Sequence, residues 1–303
     1  MDLKHEGILL TNEAKNLLEF NNVSKKYGQK LALDRLDLSV KPSQRVALLG
    51  VNGAGKSTLI SLATGIRAVS SGQVRLLGGD PRKVRFRKGL GYLPQTADFP
   101  PFLKVSEVVN TVSSHFAESN MELIDLLGVR EIWKQYIGSL SGGQNRRVAL
   151  LCSLISQPTL ALLDEPTAGM DIAMRTRTFA LLNEYFTHSE RSVLFSTHHM
   201  DEVEKLADRV VVINKGVIIE EGSVEQIKKK YGLHALYFTS DLESISLESA
   251  SVCHKEGGQW RAFGTNMDDL LKELIIKIPD ARNILVKEPN LEEVFLTLTK
   301  GSL

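Results

Sequence analysis

Cysteine, tryptophan and net charge are all scarce in this 303-residue sequence: two cysteines, two tryptophans, and 37 Lys+Arg against 36 Asp+Glu, for a formal charge of +1. Cys152 and Cys253 have no metal-type spacing, which argues against a disulfide scaffold or a cysteine metal site and fits a reducing compartment. With no charge excess the chain is not a generic polyanion binder, so anion recognition has to be local and no nucleic-acid partner is expected. Long apolar runs are missing as well: nothing approaches the ~18 residues needed to cross a bilayer. The opening stretch MDLKHEGILLTNEAKN lacks the apolar core of a secretory signal. The expectation is a cytoplasmic chain whose membrane role comes through a partner. Internal repeats, low-complexity tracts and heptad runs are also absent. What is present is 43% hydrophobic residues, enough to bury a sizeable core.

Those apolar residues are arranged in two rhythms. LLEFNNVSKKYG (17–28) and LALDRLDLSV (31–40) alternate apolar and polar residues, as half-buried strands do. RVALLG (45–50), LALLDEP (160–166) and SVLFSTH (192–198) begin instead as continuous apolar runs, the pattern of parallel strands buried on both faces. GQVRLLGGD and GLGYLPQ add short strands. Helical patterns lie between: KSTLISLATG, then VSEVVNTVSSHF, MELIDLLG and REIWKQYI over 105–138, then RRVALLCSLIS, MRTRTFALLNEYF and MDEVEKLA. RVVVINKGVIIEEG reads as a hairpin around Lys215 and Gly216. The alternation specifies an α/β fold with a parallel sheet wrapped by helices. Beyond it, ALYFTS, SVCHKE, QWRAFG and ARNILVKE read as strands, and MDDLLKELIIKI and NLEEVFLTLTK as helices. In the last helix Asn290 is an expected N-cap with Glu293 at the capping-box position, and Leu291, Val294, Phe295 and Leu298 share one face. The expected organisation is an N-terminal extension (1–16), a nucleotide-binding domain (17–227) with a helical part at 96–158, and a small α+β domain (228–303).

GVNGAGKST (50–58) satisfies G-x-x-x-x-G-K-[ST] between a buried strand and a helix, the context that gives the motif its meaning. Gly50, Gly53 and Gly55 let the backbone curl so that N–H groups converge on an anion, and the helix start adds its positive end. Lys56 can reach the β- and γ-phosphates, and Ser57 can ligate Mg²⁺. Asn52, Ala54 and Thr58 complete the loop expected around the nucleotide. Asp164 and Glu165 leave the carboxyl end of an apolar strand, where ligands bind in open α/β sheets. Asp164 is placed to hold Mg²⁺, and Glu165 to orient or deprotonate a water attacking the γ-phosphate. His198 ends the neighbouring run and can hold γ-phosphate or water, or be a structural histidine; His199 can face the same site or point elsewhere. Gln95 can ligate Mg²⁺ or simply cap a loop. Tyr27 can stack on adenine or belong to the core. A second helix start, LSGGQNRR (140–147), also looks like a phosphate site, about ninety residues after the first.

With these motifs in this order, residues 17–222 resemble the nucleotide-binding subunit of an ATP-binding cassette (ABC) transporter. Gly50–Ser57 matches the Walker A loop, Gln95 the Q-loop, Leu140–Gln144 the signature, Leu160–Glu165 Walker B, Ala168–Asp171 the D-loop and His198 the H-loop. Tyr27 falls at the adenine-stacking aromatic. The resemblance implies a P-loop NTPase of the ABC type, with a RecA-like parallel core, an antiparallel β subdomain and a helical subdomain. It implies ATP and Mg²⁺ as ligands, with Ser57, Gln95 and Asp164 at the metal and Glu165, His198 and Lys56 in catalysis. It further implies a head-to-tail pair of nucleotide-binding subunits, a homodimer in the simplest case, in which Ser141, Gly142, Gly143, Gln144 and Asp171 serve ATP held by the partner. A separate integral membrane permease would keep the chain on the inner face of the membrane. The tail EPNLEEVFLTLTKG is similar to that of cassettes serving ABC-2-type exporters. Three positions depart from the family's habit, Ala168 and Met170 in the D-loop AGMD and Asn145 after the signature, and the helical segment between Gln95 and Leu140 is rather short. The one uninterrupted cassette and the missing basic stripe disfavour the alternative, a soluble ABC ATPase acting on ribosomes or DNA.

Overall fold

The computed structural model describes residues 16–187 and 190–300, without the side chains of Glu293, Leu296, Thr297 and Lys300. Apart from Asn16, the expected N-terminal extension lies outside the described residues, as does the Glu293 half of the expected capping box. The chain divides into two compact units, 1–221 and 222–303.

In the first unit the alternating stretches become β1 (Leu18–Tyr27) and β2 (Lys30–Val40). β3 (Arg45–Leu49) leads through the glycine loop into α1 (Lys56–Ala63), followed by β4 (Ser71–Leu76) and β5 (Leu90–Leu93). A helical stretch holds α2 (Val105–Ser113), the four-residue α3 (Leu123–Leu126) and α4 (Gly142–Leu154). Then come β6 (Leu160–Asp164), α5 (Ile172–Thr187), β7 (Ser192–Ser196), α6 (Met200–Leu206), β8 (Arg209–Asn214) and β9 (Val217–Gly222). β2-β1-β4 form an antiparallel sheet. The other six strands form a second sheet in the order β5-β6-β7-β3-β8-β9, and its first five strands run parallel.

The continuous apolar runs have the predicted cause. Every residue of β6 and β7 is buried, because parallel strands in mid-sheet have both faces covered. Phe179 on α5 packs edge-to-face on Phe195 of β7, ring centroids 6.1 Å apart. The hairpin after β8 turns at Lys215 and Gly216, both with positive φ (47° and 83°), as a two-residue hairpin turn requires.

One expected helix is absent. REIWKQYI forms a 3-10 turn at Arg130–Ile132, turns again to an extended Tyr136, and enters a second 3-10 turn at Ile137. Its carbonyls are used instead to satisfy the open N-terminus of α2: Val105 N–H donates to Gln135 O and Ser106 N–H to Trp133 O, both at 3.0 Å. A continuous helix through Trp133–Ile137 would spend those carbonyls internally. MELIDLLG keeps only a single turn, ended by Gly128 at φ 63°.

The second unit contains α7 (Val224–Tyr231), β10 (His234–Thr239), β11 (Val252–Glu256), β12 (Gln259–Gly264), α8 (Met267–Lys277), β13 (Arg282–Lys287) and α9 (Leu291–Lys300). Its antiparallel sheet has the order β11-β12-β10-β13. Leu236, Phe238, Trp260 and Ala262 of the sheet share a core with Leu270 and Leu274 of α8. Leu291 and Val294 of α9 are buried, with Phe295 and Leu298 partly so. An α+β tail is what the patterning specified. A division after residue 227 would cut through α7, however, and the compact unit begins at Gly222.

Candidate active site

Parallel pairing fixes the site before any side chain is considered. Leu48 of β3 pairs with Ser196 of β7, Ser196 with Asp164 of β6, and Leu163 of β6 with Leu93 of β5. The four carboxyl ends therefore lie along one edge, and the residues just beyond them converge: the glycine loop, Gln95, Glu165 and His198. A cleft of about 610 Å³ opens there, lined by Tyr27, Asn52, Gly53, Gly55, Lys56, Ser57, Thr58, Gln95, Glu165 and His198. Lys30 and Ala32 line it too; both lie on β2, and no motif in the sequence marked them.

The loop is shaped by two conformational glycines. Gly53 (φ 80°) and Gly55 (φ 117°) adopt backbone angles that L-residues rarely take. Gly50 has a different role from the expected one: a Cβ there would meet Ile213 O of β8 at 2.5 Å, so its size, not its φ, is required. Ala54 is buried, and its carbonyl accepts from Gly216 N–H. Gly50 and Ala54 thus support the loop from behind. Lys56 is 7% exposed, and its ammonium donates to Gly50 O (2.6 Å) and Val51 O (3.3 Å). Burial pushes its pKa down, while the nearby Glu165 and Asp164 carboxylates oppose that shift.

Hydroxyl, amide and carboxylate oxygens stand along the same sheet edge. Ser57 Oγ lies 3.5 Å from Gln95 Oε1. Asp164 is buried behind Glu165, and its Oδ1 accepts from Ser196 Oγ at 2.5 Å. Hydroxyl, amide and carboxylate oxygens suit Mg²⁺, which takes few protein ligands together with substrate phosphates. Among the described residues there is no cluster of three His, Cys, Asp or Glu that would form an all-protein cage.

Glu165 and His198 face each other, with His198 Nδ1 3.6 Å from Glu165 Oε2. Glu165 has a left-handed backbone, φ 53°, unusual for a residue with a side chain. Its N–H donates to both Ser196 O (3.1 Å) and Ser196 Oγ (3.0 Å). His199 packs at a tilt against His198, ring centroids 4.1 Å apart, and Arg175 Nη1 lies 3.1 Å from its Nδ1; it does not line the cleft. Burial lowers the His199 pKa. Tyr27 contributes its ring to the cleft with Lys25 and Arg67 over it, at 5.0 and 5.3 Å from the centroid.

A family profile described as ABC transporter matches residues 33–168. The Nod factor export ATP-binding protein I of Rhizobium etli is 31% identical over 296 residues, which is 93% of each chain. The chain belongs to the ABC transporter family. A probable sulfate/thiosulfate import ATP-binding protein of Chlorella vulgaris is 34% identical, but over 68% of this chain and 91% of its own length. A solved structure of the ATP binding subunit of an ABC transporter superposes with a TM-score of 0.65 at 24% identity, covering 71% of this chain and 93% of the other, a likeness of fold. As an ABC transporter subunit the chain is an ATPase. No helix among the described residues is long and apolar enough to cross a membrane.

The other motif residues of this ABC ATPase lie outside the cleft lining. Ser141 N-caps α4 in a reciprocal box: its Oγ accepts from Gln144 N–H (3.2 Å) and Gln144 Oε1 from Ser141 N–H (2.8 Å). Gly143 abuts the D-loop, where a Cβ would meet Gly169 O at 2.8 Å. Asp171 precedes α5, and its Oδ1 accepts from Met174 N–H. Arg146, which no residue pattern singled out, is 6% exposed, and its guanidinium reaches backbone carbonyls at the ends of both β5 and β6.

Proposed function

We propose that this chain powers an exporter: it binds ATP and Mg²⁺, pairs with a second nucleotide-binding subunit, and drives a separate ABC-2-type permease from the cytoplasmic face of the membrane. The observation that carries the site assignment is the convergence of Lys56, Ser57, Gln95, Glu165 and His198 in one cleft while Ser141–Gly143 begin a helix outside it. Lys56 neutralises phosphate charge, and Ser57, Gln95 and Asp164 would hold Mg²⁺, which draws charge from the phosphate oxygens when bound. Glu165 takes the proton of the attacking water, with His198 on its other side orienting phosphate or water. Tyr27 stacks on adenine. The exposed start of α4, with unspent N–H groups and a positive end, suits the γ-phosphate of an ATP held by a second subunit, as does the neighbouring D-loop with Asp171. ATP then bridges the pair, and hydrolysis removes the bridge.

Export over import is supported by coverage: the export relative aligns across both units of this chain, whereas the import relative aligns over 68% of it. The site reading is tested with Glu165→Gln. Turnover is expected to fall by roughly 10²–10⁴-fold, with ATP still bound and an ATP-dependent dimer accumulating on size-exclusion chromatography. Hydrolysis at the wild-type rate would remove Glu165 from the chemistry.

A further inference from the structure

Glu165 and Gln95 come from different strands, and one side chain is hydrogen-bonded to the backbone at both. Arg146, in the second turn of α4, points its guanidinium between the ends of β5 and β6. Its Nη1 donates to Pro94 O (2.5 Å) and Gln95 O (3.0 Å). Its Nε and Nη2 donate to Glu165 O at 3.1 and 2.9 Å, and Nη2 also reaches Asp164 O. The planar, multiply donating fork is what four converging carbonyls require, and a lysine ammonium could not span them. Asn145, one residue earlier, adds a donor to Ala97 O at 3.0 Å, so the same helix turn also grips the loop after Gln95.

What this grip holds is a strained residue. A left-handed conformation at a residue with a Cβ persists only where its surroundings over-determine it. At Glu165 the N–H is fixed by Ser196, and the carbonyl by the Ala168 N–H (3.1 Å) together with two donors of Arg146. Removing the guanidinium frees one side of that peptide to relax toward ordinary φ, which would swing the carboxylate away from His198. Arg147 supplies the contrast within the same helix. It is equally buried, at 5% exposed, but its Nη1 donates to Leu127 O and Gly128 O beyond α3, away from the cleft.

We propose that Arg146 is a positioning residue for ATP hydrolysis, holding Glu165 in its strained conformation and in register with Gln95 from the helix that begins at Ser141. The inference rests on the reading of Glu165 as the group that handles water. Because a few residues of rigid helix separate Ser141 from Arg146, a ligand pressing on the start of α4 also presses on the backbone of Glu165 and Gln95.

The test compares the full-length chain with Arg146→Lys, Arg146→Met, Arg147→Lys and Arg147→Met, measuring phosphate release, equilibrium binding of a fluorescent ATP analogue and thermal melting. Both Arg146 variants are expected to lose on the order of 100-fold in kcat, the scale of a misplaced catalytic group, with KM and nucleotide affinity unchanged. The Arg147 variants are expected to lower the melting temperature while keeping kcat. If Arg146→Met does not fold, Arg146→Lys carries the comparison, since it keeps the charge and loses the fork. Wild-type kcat in Arg146→Lys, or equal kcat losses at the two arginines, would overturn the proposal. Glu165→Gln separates the two layers. If that variant is inactive while the Arg146 variants stay fast, the positioning role alone fails; if it turns over normally, the reading of Glu165 fails and takes the positioning role with it.

Discussion

Ser196 carries more of the site than its size suggests. Its hydroxyl donates to the buried Asp164 carboxylate and accepts the Glu165 N–H, so one oxygen links the two acidic residues at the end of β6. Ser196→Ala leaves Asp164 without that buried donor, an expected loss of about 1–3 kcal/mol in stability. It also loosens Glu165, so kcat should fall further than ATP affinity, which melting, phosphate release and nucleotide binding together report. An unchanged kcat would mean that the Ser196 main-chain carbonyl suffices to hold the Glu165 N–H. That Lys56, Gln95, Glu165 and His198 would meet at one sheet edge was legible in the sequence, because each follows a strand whose carboxyl end marks that edge. Arg146 was not legible: an arginine in a polar stretch of a helix ordinarily reads as solvated, and its partners are backbone carbonyls, which carry no residue-type signal. Gly50 was legible as a necessary glycine but for the wrong reason, since the crowding comes from Ile213 on a strand more than 160 residues later.

At the level of elements, hydrophobic rhythm was sufficient wherever burial alone decides the structure. The apolar runs became β3, β6 and β7, and the alternating runs β1 and β2. Rhythm failed at REIWKQYI, where the backbone is recruited to cap α2, a long-range demand that no local period encodes. It also misplaced the division between units, because α7 has an amphipathic pattern compatible with either neighbour. Ser223 begins α7 with a reciprocal capping box to Gln226, so this helix starts cleanly just after β9. Each unit has a core of its own. A chain ending at Gly222 is therefore expected to bind a fluorescent ATP analogue with the affinity of the full chain. Loss of binding would mean that the second unit is needed to maintain the cleft.

At the scale of the whole molecule, two helix starts suited to anions occur in one chain, and only α1 lies in the cleft. If the second serves a partner's ATP, every site in a two-fold dimer takes its phosphate loop from one chain and its signature from the other. That arrangement can be tested by complementation. Lys56→Met removes the cation at the phosphates. Gly142→Asp adds a carboxylate at the exposed start of α4, where a Cβ meets nothing within 4 Å, so the chain's own fold should accept it. Each variant alone should be inactive, the second through repulsion between its carboxylate and the γ-phosphate. When the two chains are co-expressed, a mixed dimer contains one site with both defects and one with neither. Random pairing of equal amounts makes half the dimers mixed, so activity should return to about a quarter of wild type for independent sites. If each chain completed its own site, mixing would restore nothing, because every site would keep one defect. Recovery therefore requires that the helix opened by Ser141 act on an ATP its own chain does not hold.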